Sequence, residues 1–334
     1  MQSERRPRLT PAIADIRRAV RAVFTSSSSE TFVLVGLSGG ADSLALAAAT
    51  ACEARRSGAR AGAVIVDHRL QAGSADVAAA AAEQARRLGL EPVLVLTVSV
   101  GTDSGPEAAA RAARYAAFER ALAETGAEAV LLGHTLDDQA ETVLLGLARG
   151  SGPTSLRGMS ARNGPYLRPM LGIRRALTRQ FCADSGLVPW NDPQNLDPAY
   201  ARVRVRETVL PLLERELGPG ISEALVRTAD ALREDSDALD AVARALLGTV
   251  WVSTAAGGTL PVDDLAAQPA AVRQRIIRFG VEARFGSTLA RTHTLAVARL
   301  VTDWHGQEAL DLPGVRVVRQ DGVLIFADPG HAFE

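Results

Sequence analysis

The fold of this chain is decided by residues 32–46, which read FVLVGLSGGADSLAL. The first part is an apolar run typical of a parallel strand that is buried on both faces, and the last part has the composition of a helix. The turn between them reads Ser-Gly-Gly-Ala-Asp-Ser. Two glycines there let successive backbone N–H groups converge on an anion, and the helix adds the positive end of its dipole. This stretch predicts a strand, an anion-binding loop and a helix.

Asp42 is the unexpected residue of this loop, because a carboxylate beside a phosphate is repelled by it. Its presence is explained if Asp42 holds Mg²⁺ that bridges it to the phosphates, while Ser38 and Ser43 donate hydroxyl hydrogen bonds. The alternative is a structural turn in which a Ser or Asp side chain caps the helix. The loop resembles the PP-loop of the ATP pyrophosphatase superfamily, whose members cleave ATP between the α and β phosphates. The resemblance implies a metal ligand in Asp42 and an ATP site made of Ser38, Gly39, Gly40, Ala41, Asp42 and Ser43.

Composition limits the classes of function that remain. The chain has 334 residues, 47% of them hydrophobic, and a net charge of −1, so a nucleic-acid partner would need a local basic patch. It contains no lysine, which excludes a Walker A lysine and a Schiff-base lysine. Cys52 and Cys182 are its two cysteines and lie too far apart for a local metal or redox pair. No apolar run approaches the length of a membrane span, so we expect a cytoplasmic location and no membrane partner.

Strands and helices alternate after the loop. We predict strands at 61–66, 92–98 and 129–132, with helices at 74–88 and from residue 106. This alternation is typical of an α/β fold with a parallel sheet and helices on both of its faces. A helix at 9–24 precedes the first strand.

The sequence Gly218-Pro219-Gly220 interrupts the helical pattern that precedes it, and we place a domain boundary there. Beyond it, 221–249, 268–284 and 288–304 have helical patterns, and 309–327 predicts a β-hairpin that turns at Gln320-Asp321-Gly322. The predicted second domain is smaller and mainly helical. The expected organisation is an N-terminal helix and linker at 1–30, a catalytic domain at 31–217 and a substrate-docking domain at 218–334.

Polar residues follow two of the predicted strands. Asp67 and His68 come directly after the second strand, at the sheet edge where open α/β folds bind ligands, although a lone His after a strand is more often structural. Arg111 and Arg114 share one face of the next helix and could hold a phosphate or a carboxylate. A solvated charged stripe is the alternative for these two arginines.

The fourth strand runs into the sequence GHTLDDQAET at 133–142. With a helix that starts near Thr135, four side chains share one face near its start: His134, Asp137, Asp138 and Glu141. Three carboxylates this close repel one another unless a cation or an ammonium group lies between them. An acidic first turn, favoured by the helix dipole, explains only two of them. We therefore interpret the cluster as a ligand site.

Residues 142–183 contain no acidic residue but seven arginines. A local excess of positive charge could hold an RNA backbone that the whole chain would not attract. Ordinary use of arginine in a lysine-free chain is the alternative.

These motifs, in this order, resemble tRNA(Ile)-lysidine synthetases. The resemblance covers about residues 30–215 and includes the loop, Asp67-His68, the Arg111…Arg114 helix and the cluster after the fourth strand. Arg168-Pro169-Met170-Leu171 and the arginine-rich segment that ends at Arg206 extend it. Two positions depart from the family pattern, since Gln194 stands for a usual Ser and Val203 for a usual Asn.

The resemblance implies a fold, a reaction and a set of site residues. The fold is the adenine-nucleotide α-hydrolase type, and the reaction attaches free L-lysine to C2 of the wobble cytidine in the CAU anticodon of tRNA(Ile), with ATP and Mg²⁺. Catalysis or lysine positioning would fall to Arg111, Arg114, His134, Asp137, Asp138 and Glu141. Contacts to tRNA or substrate would fall to Asp67, His68, Arg168, Asn195, Arg202, Arg204 and Arg206.

Three other interpretations are open on the residues alone. A tRNA thiolase with this loop often needs an iron–sulfur cluster held by Cys pairs, which two distant cysteines do not favour. A synthetase acting on a free nucleotide or an amide donor would use the same loop without the arginine-rich stretch. A non-catalytic ATP sensor or RNA-binding protein would not need Asp42, Asp137 and Glu141 together.

Overall fold

The computed structural model describes residues 9–25, 31–69, 73–99, 101, 106–150 and 152–330. The chain divides into two compact units, Met1–Asp230 and Ala231–Glu334. Over these described ranges, no helix combines the length and the apolar character that crossing a bilayer requires. The predicted linker after the first helix, residues 26–30, lies outside the described residues.

The first unit alternates strands and helices as predicted. Its strands are β1 (Phe32–Gly36), β2 (Arg60–Asp67), β3 (Val93–Thr97), β4 (Ala129–Leu131), β5 (Arg162–Asn163) and β6 (Tyr166–Leu167). Its helices are α1 (Pro11–Thr25), α2 (Ala41–Ser57), α3 (Ser74–Arg87), α4 (Pro106–Thr125), α5 (Leu136–Ala148), α6 (Pro153–Leu156), α7 (Arg175–Asp184), α8 (Ala201–Arg204) and α9 (Leu210–Leu217). A 3₁₀ turn spans Pro193–Leu196, and a π-helical turn, Val205–Val209, joins α8 to α9.

One sheet organises this unit, with the strand order β3-β2-β1-β4-β6-β5. β1 lies between β2 and β4, and it pairs parallel to both, so that Val33 is opposite Ala61 and Ala129. β3 and β6 continue the parallel pairing, whereas β5 is antiparallel. The predicted parallel sheet is confirmed.

Alternate residues of β1 enter two different cores. Val33 and Val35 pack with α1, α2, α3 and α7, whereas Phe32 and Leu34 pack with Phe118 of α4. Because successive side chains of a strand point to opposite faces, both faces of β1 are buried. This explains the uninterrupted apolar run at the start of residues 32–46, and it confirms helices on both faces of the sheet.

The strand order places a crevice at the carboxyl end of β1. The chain moves from β1 to β2 and β3 on one side, and β4 lies on the other side, which is the switch point where open α/β sheets bind ligands. Gly133 follows β4 here, and a Cβ at this position would lie 3.1 Å from the backbone of Asp42 and Ser43. Glycine is therefore needed to bring the start of α5 against the start of α2.

The second unit is built on a five-stranded antiparallel sheet. Helix α10 (Ile221–Val250) leads into it, followed by β7 (Val252–Thr254), β8 (Gly257–Pro261), α11 (Val262–Ala266), α12 (Ala270–Phe285), α13 (Arg291–Thr302), β9 (Leu310–Leu312), β10 (Val315–Gln320) and β11 (Val323–Ala327). The sheet order is β7-β8-β11-β10-β9. The predicted hairpin is confirmed, since β10 and β11 turn at Asp321 and Gly322, both with positive φ.

Strands β7 and β8 were not predicted. Their sequence is short and rich in glycine, which is typical of a loop. The structure gives Gly258 of β8 a packing role, because the indole of Trp251 covers the backbone there and at Gly280 of α12. A Cβ at Gly258 would lie 2.3 Å from that ring, and one at Gly280 would lie 2.6 Å from it.

Candidate functional site

Helix α2, which follows the loop after β1, starts without a side-chain cap. Gly39 has φ 85°, in the left-handed region that favours glycine, and Gly40 is the N-cap of α2 without a side-chain cap bond. The Ser43 hydroxyl accepts a hydrogen bond from the Ser38 N–H at 3.2 Å and donates one to the Gly40 carbonyl at 3.0 Å. The N–H groups of the first turn of α2 therefore remain for an anion. The Ser or Asp helix cap of the alternative interpretation is not formed at Gly40, although the Ser43 hydroxyl holds the turn.

Asp42 lies in that first turn and faces α7. Its Oδ1 accepts a hydrogen bond from the Thr178 hydroxyl, and its Oδ2 is 3.5 Å from Nε of Arg175. Burial raises the pKa of the Asp42 carboxyl above its ordinary value, and the contacts with Thr178 and Arg175 only partly oppose this. Asp42 thus connects the loop to α7.

The start of α5 is held by a reciprocal cap. Asp138 N–H donates to the Thr135 hydroxyl oxygen at 3.4 Å, and the Asp138 carboxylate accepts from the Thr135 N–H at 2.8 Å. Burial would raise the pKa of Asp138, but Arg175 and the Thr135 hydrogen bonds outweigh it and hold that pKa below its ordinary value. The predicted helix start near Thr135 is confirmed, and Asp138 forms part of the cap.

Glu141 is fully buried and is held by three arginines. Arg206 Nε donates to its Oε1 at 2.7 Å, and Arg175 NH1 donates to the same oxygen at 3.1 Å. Arg202 Nε lies 3.7 Å from its Oε2, and Arg202 NH2 donates to the Thr142 hydroxyl at 3.2 Å. Arg202 and Arg206 are four residues apart on the helix that contains the π-helical turn, so they share the face toward α5.

Arg175 is the residue that the sequence analysis missed. Its NH2 donates to Asp138 Oδ1 at 2.8 Å, and its backbone N–H donates to Asp137 Oδ2 at 2.7 Å. The acidic groups around it, led by Asp138, raise its pKa although burial opposes this. The neighbouring Arg174 lies 3.5 Å from Asp137 Oδ1 and 3.4 Å from Glu223. Arg174 and Arg175, both in the acid-free stretch, are therefore ion-pair partners within the protein.

The acidic cluster obtains its positive charge from the protein itself. We expected a cation or an ammonium group between the carboxylates; the structure places guanidinium groups there. The acidic members are Asp42, Asp137, Asp138 and Glu141, and the basic members are Arg174, Arg175, Arg202 and Arg206. Mutual repulsion is thus relieved without a ligand, and the cluster alone does not identify one.

His134 lies beside this cluster. Burial, with a further contribution from the nearby arginines, lowers its pKa to about 4, so the imidazole is neutral at neutral pH. Its Nδ1 is enclosed and has no hydrogen-bond partner among the described residues. Two arginines of the predicted site meet near it at the Tyr115 hydroxyl, which accepts from Arg111 NH2 at 3.2 Å and from Arg168 NH2 at 3.3 Å. A half-buried neutral imidazole and two guanidinium groups are thus placed together.

A cavity of about 190 Å³ opens beside the loop. Asp67 and His68 line it with Ser38, so the predicted position of both residues near the loop is confirmed. Burial lowers the pKa of His68, and the charge of nearby Arg114 lowers it further. The apolar wall comprises Ile65, Val66, Val77, Ala78 and Trp190.

Arg204 and Asn195 are two more predicted residues that are not members of the carboxylate cluster. Arg204 donates to the carbonyl oxygens of Pro198 and Ala199, and thereby holds its own turn. Asn195 is exposed on the 3₁₀ turn. Their contacts with a substrate stay predictions.

The surroundings of Asp42 fit a magnesium ion that arrives with a nucleotide. Among the described residues, no group of three or more His, Cys, Asp or Glu side chains could hold a metal ion unaided. Mg²⁺ in nucleotide sites is commonly bound by one or two carboxylates together with phosphate oxygens. Asp42, in the first turn of a helix without a side-chain cap, offers one such carboxylate.

Comparisons with known proteins agree with this geometry. A PP-loop domain model matches residues 13–213, and a TilS substrate binding domain model matches residues 260–325. The tRNA(Ile)-lysidine synthase of Leifsonia xyli subsp. xyli is 66% identical over 297 residues, which is 88% of this chain and 89% of that protein. The enzyme of the same name from Thermobifida fusca is 51% identical over 318 residues, 94% and 97% of the two chains.

A solved structure shares the fold. It is the U34-tRNA thiolase NcsA from Methanococcus maripaludis, described with its 4Fe–4S cluster, and it matches with a TM-score of 0.55 at 21% identity. The match covers 67% of this chain and 80% of that one.

Proposed function

The chain belongs to the tRNA(Ile)-lysidine synthase family, and from this premise we propose the reaction that it catalyses. The enzyme uses ATP to join free L-lysine to C2 of the wobble cytidine in the CAU anticodon of tRNA(Ile). AMP and pyrophosphate are released. PP-loop membership gives the use of ATP, and the family gives tRNA as the substrate.

One observation carries the proposal: the anion-binding loop and the carboxylate cluster are in contact. Asp42 of the loop lies 3.5 Å from Arg175, and the same guanidinium group reaches Glu141 at 3.1 Å. The proposed phosphate site therefore lies next to a cluster in which Asp137, 19% exposed, remains accessible to an amine. Joining lysine to an activated base needs both ligands side by side.

The first step is adenylation of the cytidine. Its C2 oxygen attacks the α phosphorus of ATP, the bond to pyrophosphate breaks, and an AMP ester of the base forms. The first-turn N–H groups of α2 would hold the phosphates, and the cavity beside Asp67 would hold the adenosine, with Trp190 in its wall. Asp42 would hold Mg²⁺, whose charge favours the departure of pyrophosphate.

The second step is attack by lysine. Its ε-amine bonds to C2, the bond from C2 to the AMP oxygen breaks, and AMP leaves. A free ε-ammonium group has a pKa of about 10.4, so it must lose a proton first. Asp137 is the acidic residue of α5 that remains partly exposed, at 19%, which makes it the candidate for the amine contact. Glu141, enclosed by arginines, would hold the surrounding groups in place.

The tRNA needs a basic surface on a chain whose net charge is −1. Arg149, Arg162 and Arg179 are exposed members of the acid-free stretch, and we propose that they contact the RNA backbone. In this proposal residues 31–217 carry the chemistry and residues 218–334 dock the tRNA.

The experiment that tests the function is incorporation of radiolabelled L-lysine into tRNA by the purified protein, with ATP and Mg²⁺. tRNA(Ile) with a CAU anticodon is compared with tRNA(Met), which has the same anticodon. We expect label in tRNA(Ile) alone, with one AMP formed for each lysine joined. Cleavage of ATP to AMP and pyrophosphate without label in either tRNA would contradict the assignment of the substrates.

A further inference from the structure

The guanidinium group of Arg175 contacts both halves of the proposed site. We infer that Arg175 is a positioning residue that couples nucleotide binding to lysine binding, an inference that rests on the proposed function. It acts through the carboxylates of Asp42 and Glu141, and it need not touch either substrate. No motif that carries the family resemblance includes Arg175.

The geometry uses the planar fork of arginine. Nε faces Asp42 Oδ2 at 3.5 Å, whereas NH2 and NH1 face Asp138 Oδ1 at 2.8 Å and Glu141 Oε1 at 3.1 Å. The side chain is only 13% exposed. Because the guanidinium group is rigid, an arginine can hold three carboxylates in fixed relative positions, which the single ammonium of a lysine cannot do.

The positive charge of Arg175 links the binding of the nucleotide to the binding of lysine. Any ligand that changes the charge at Asp42 changes how strongly Arg175 interacts with Asp138 and Glu141. Both lie on α5 with Asp137, the proposed contact of the lysine amine. Linkage requires the effect to be reciprocal, so lysine alters nucleotide affinity by the same factor. In a partly enclosed site this coupling is stronger than between exposed charges.

Arg174 provides a matched comparison. It is adjacent in sequence, carries the same charge and contacts an acidic residue of α5, since its NH2 lies 3.5 Å from Asp137 Oδ1. Within the part of the chain that the structure describes, Arg174 also pairs with Glu223 and has no ion pair with Asp42. Loss of Arg174 therefore removes a positive charge from the same cluster without breaking the connection to the loop.

The test measures equilibrium binding of labelled L-lysine to the enzyme in the presence of tRNA(Ile). Binding is measured once without nucleotide and once with Mg²⁺ and an ATP analogue, in which methylene replaces the oxygen that bridges the α and β phosphates. The analogue cannot be split between the α and β phosphates, so binding is measured before any chemistry. For each protein variant we take the ratio of the lysine Kd without the analogue to the lysine Kd with it, and we compare this ratio among the variants. Misfolding lowers the amount of lysine bound but does not change this ratio among the folded molecules.

We expect the ratio to differ from one by at least about fivefold in the unaltered protein, as typical couplings do. Arg175→Gln should bring it to within about twofold of one, and Arg175→Lys should fall between, whereas Arg174→Gln should keep the original ratio. If Arg175→Gln does not fold, Arg175→Lys alone decides the question. An unchanged ratio in the Arg175 variants, or the absence of coupling in the unaltered protein, overturns the inference. Failure to incorporate lysine at all would instead overturn the proposed function.

Discussion

Two buried glutamates of the first unit show how similar local chemistry serves different purposes. Glu53 of α2 is 2% exposed and Glu141 of α5 is fully buried. Glu53 is held by Arg17 at 2.7 Å and by Arg21 at 2.8 Å, distances close to those around Glu141. Judged by burial and ion pairs alone, the two positions are equivalent.

Their connections differ. Both arginines at Glu53 come from α1, four residues apart, so the ion pairs attach one helix to another. The arginines at Glu141 come from α7 and from the helix that begins at α8, and Arg175 continues to Asp42 in the anion-binding loop. A buried carboxylate held by arginines is therefore not in itself a sign of function. Its connection to a ligand-binding loop is the informative feature.

The largest expected effect on activity comes from removing the carboxylate of Asp42, which connects Arg175 to the anion-binding loop. Asp42→Ala should lower the rate of lysine incorporation by at least about 100-fold, because the phosphates lose the group proposed to hold their metal ion. Its affinity for tRNA should change by no more than about twofold. The measurements are single-turnover lysine incorporation and tRNA binding. Asp76→Ala is the control, since Asp76 is an exposed acidic residue in the first turn of the next helix, α3.

A smaller effect on activity is expected from Glu141→Ala. This variant should show that Glu141 contributes to activity whereas Glu53 does not. We expect the lysine-dependent step to fall by roughly 10- to 100-fold and pyrophosphate release to fall less, because the arginines that shape the amine site lose their partner. Glu141→Gln keeps the shape and tests whether the charge is the cause. Glu53→Ala should leave both steps unchanged. Equal losses in the two steps for Glu141→Ala, or a loss of activity in Glu53→Ala, would contradict the comparison.

The sequence predicted the parts of the site that are continuous along the chain. Residues 32–46 and 133–142 each combine a strand end, a turn and a helix start, and local patterns determine all three. The start of α5 is an example, because the Thr135 and Asp138 cap is visible at a spacing of three residues. The parallel sheet follows from the alternation of strands and helices.

The sequence could not predict what depends on packing between distant elements. Arg175 pairs with Asp42 because α7 packs against α2, and no local spacing records that contact. The position of Arg175 in an acid-free stretch suggested an RNA contact. Its acidic partners instead lie on other helices, α2 and α5. Glu53 shows the converse, since a glutamate beside Arg55 and Arg56 has the pattern of an exposed helix face and yet is buried under α1.

The smallest expected effect concerns stability and its dependence on pH. Burial would raise the pKa of Glu53, but the hydrogen bonds from Arg21 and Arg17 outweigh it and hold that pKa below its ordinary value. A carboxyl whose pKa is lower in the folded state stabilises the fold above its unfolded pKa, about 4.3, and this contribution is lost as the pH falls through the folded value.

Glu53→Gln should therefore lower the free energy of unfolding by about 2 kcal/mol at pH 7, less than for a fully enclosed pair because Arg21 is half exposed. The difference from the unaltered protein should narrow as the pH falls below about 5, as measured by urea unfolding at several pH values. A difference that stays constant down to pH 3.5 would show that the ion pairs with α1 do not stabilise the fold.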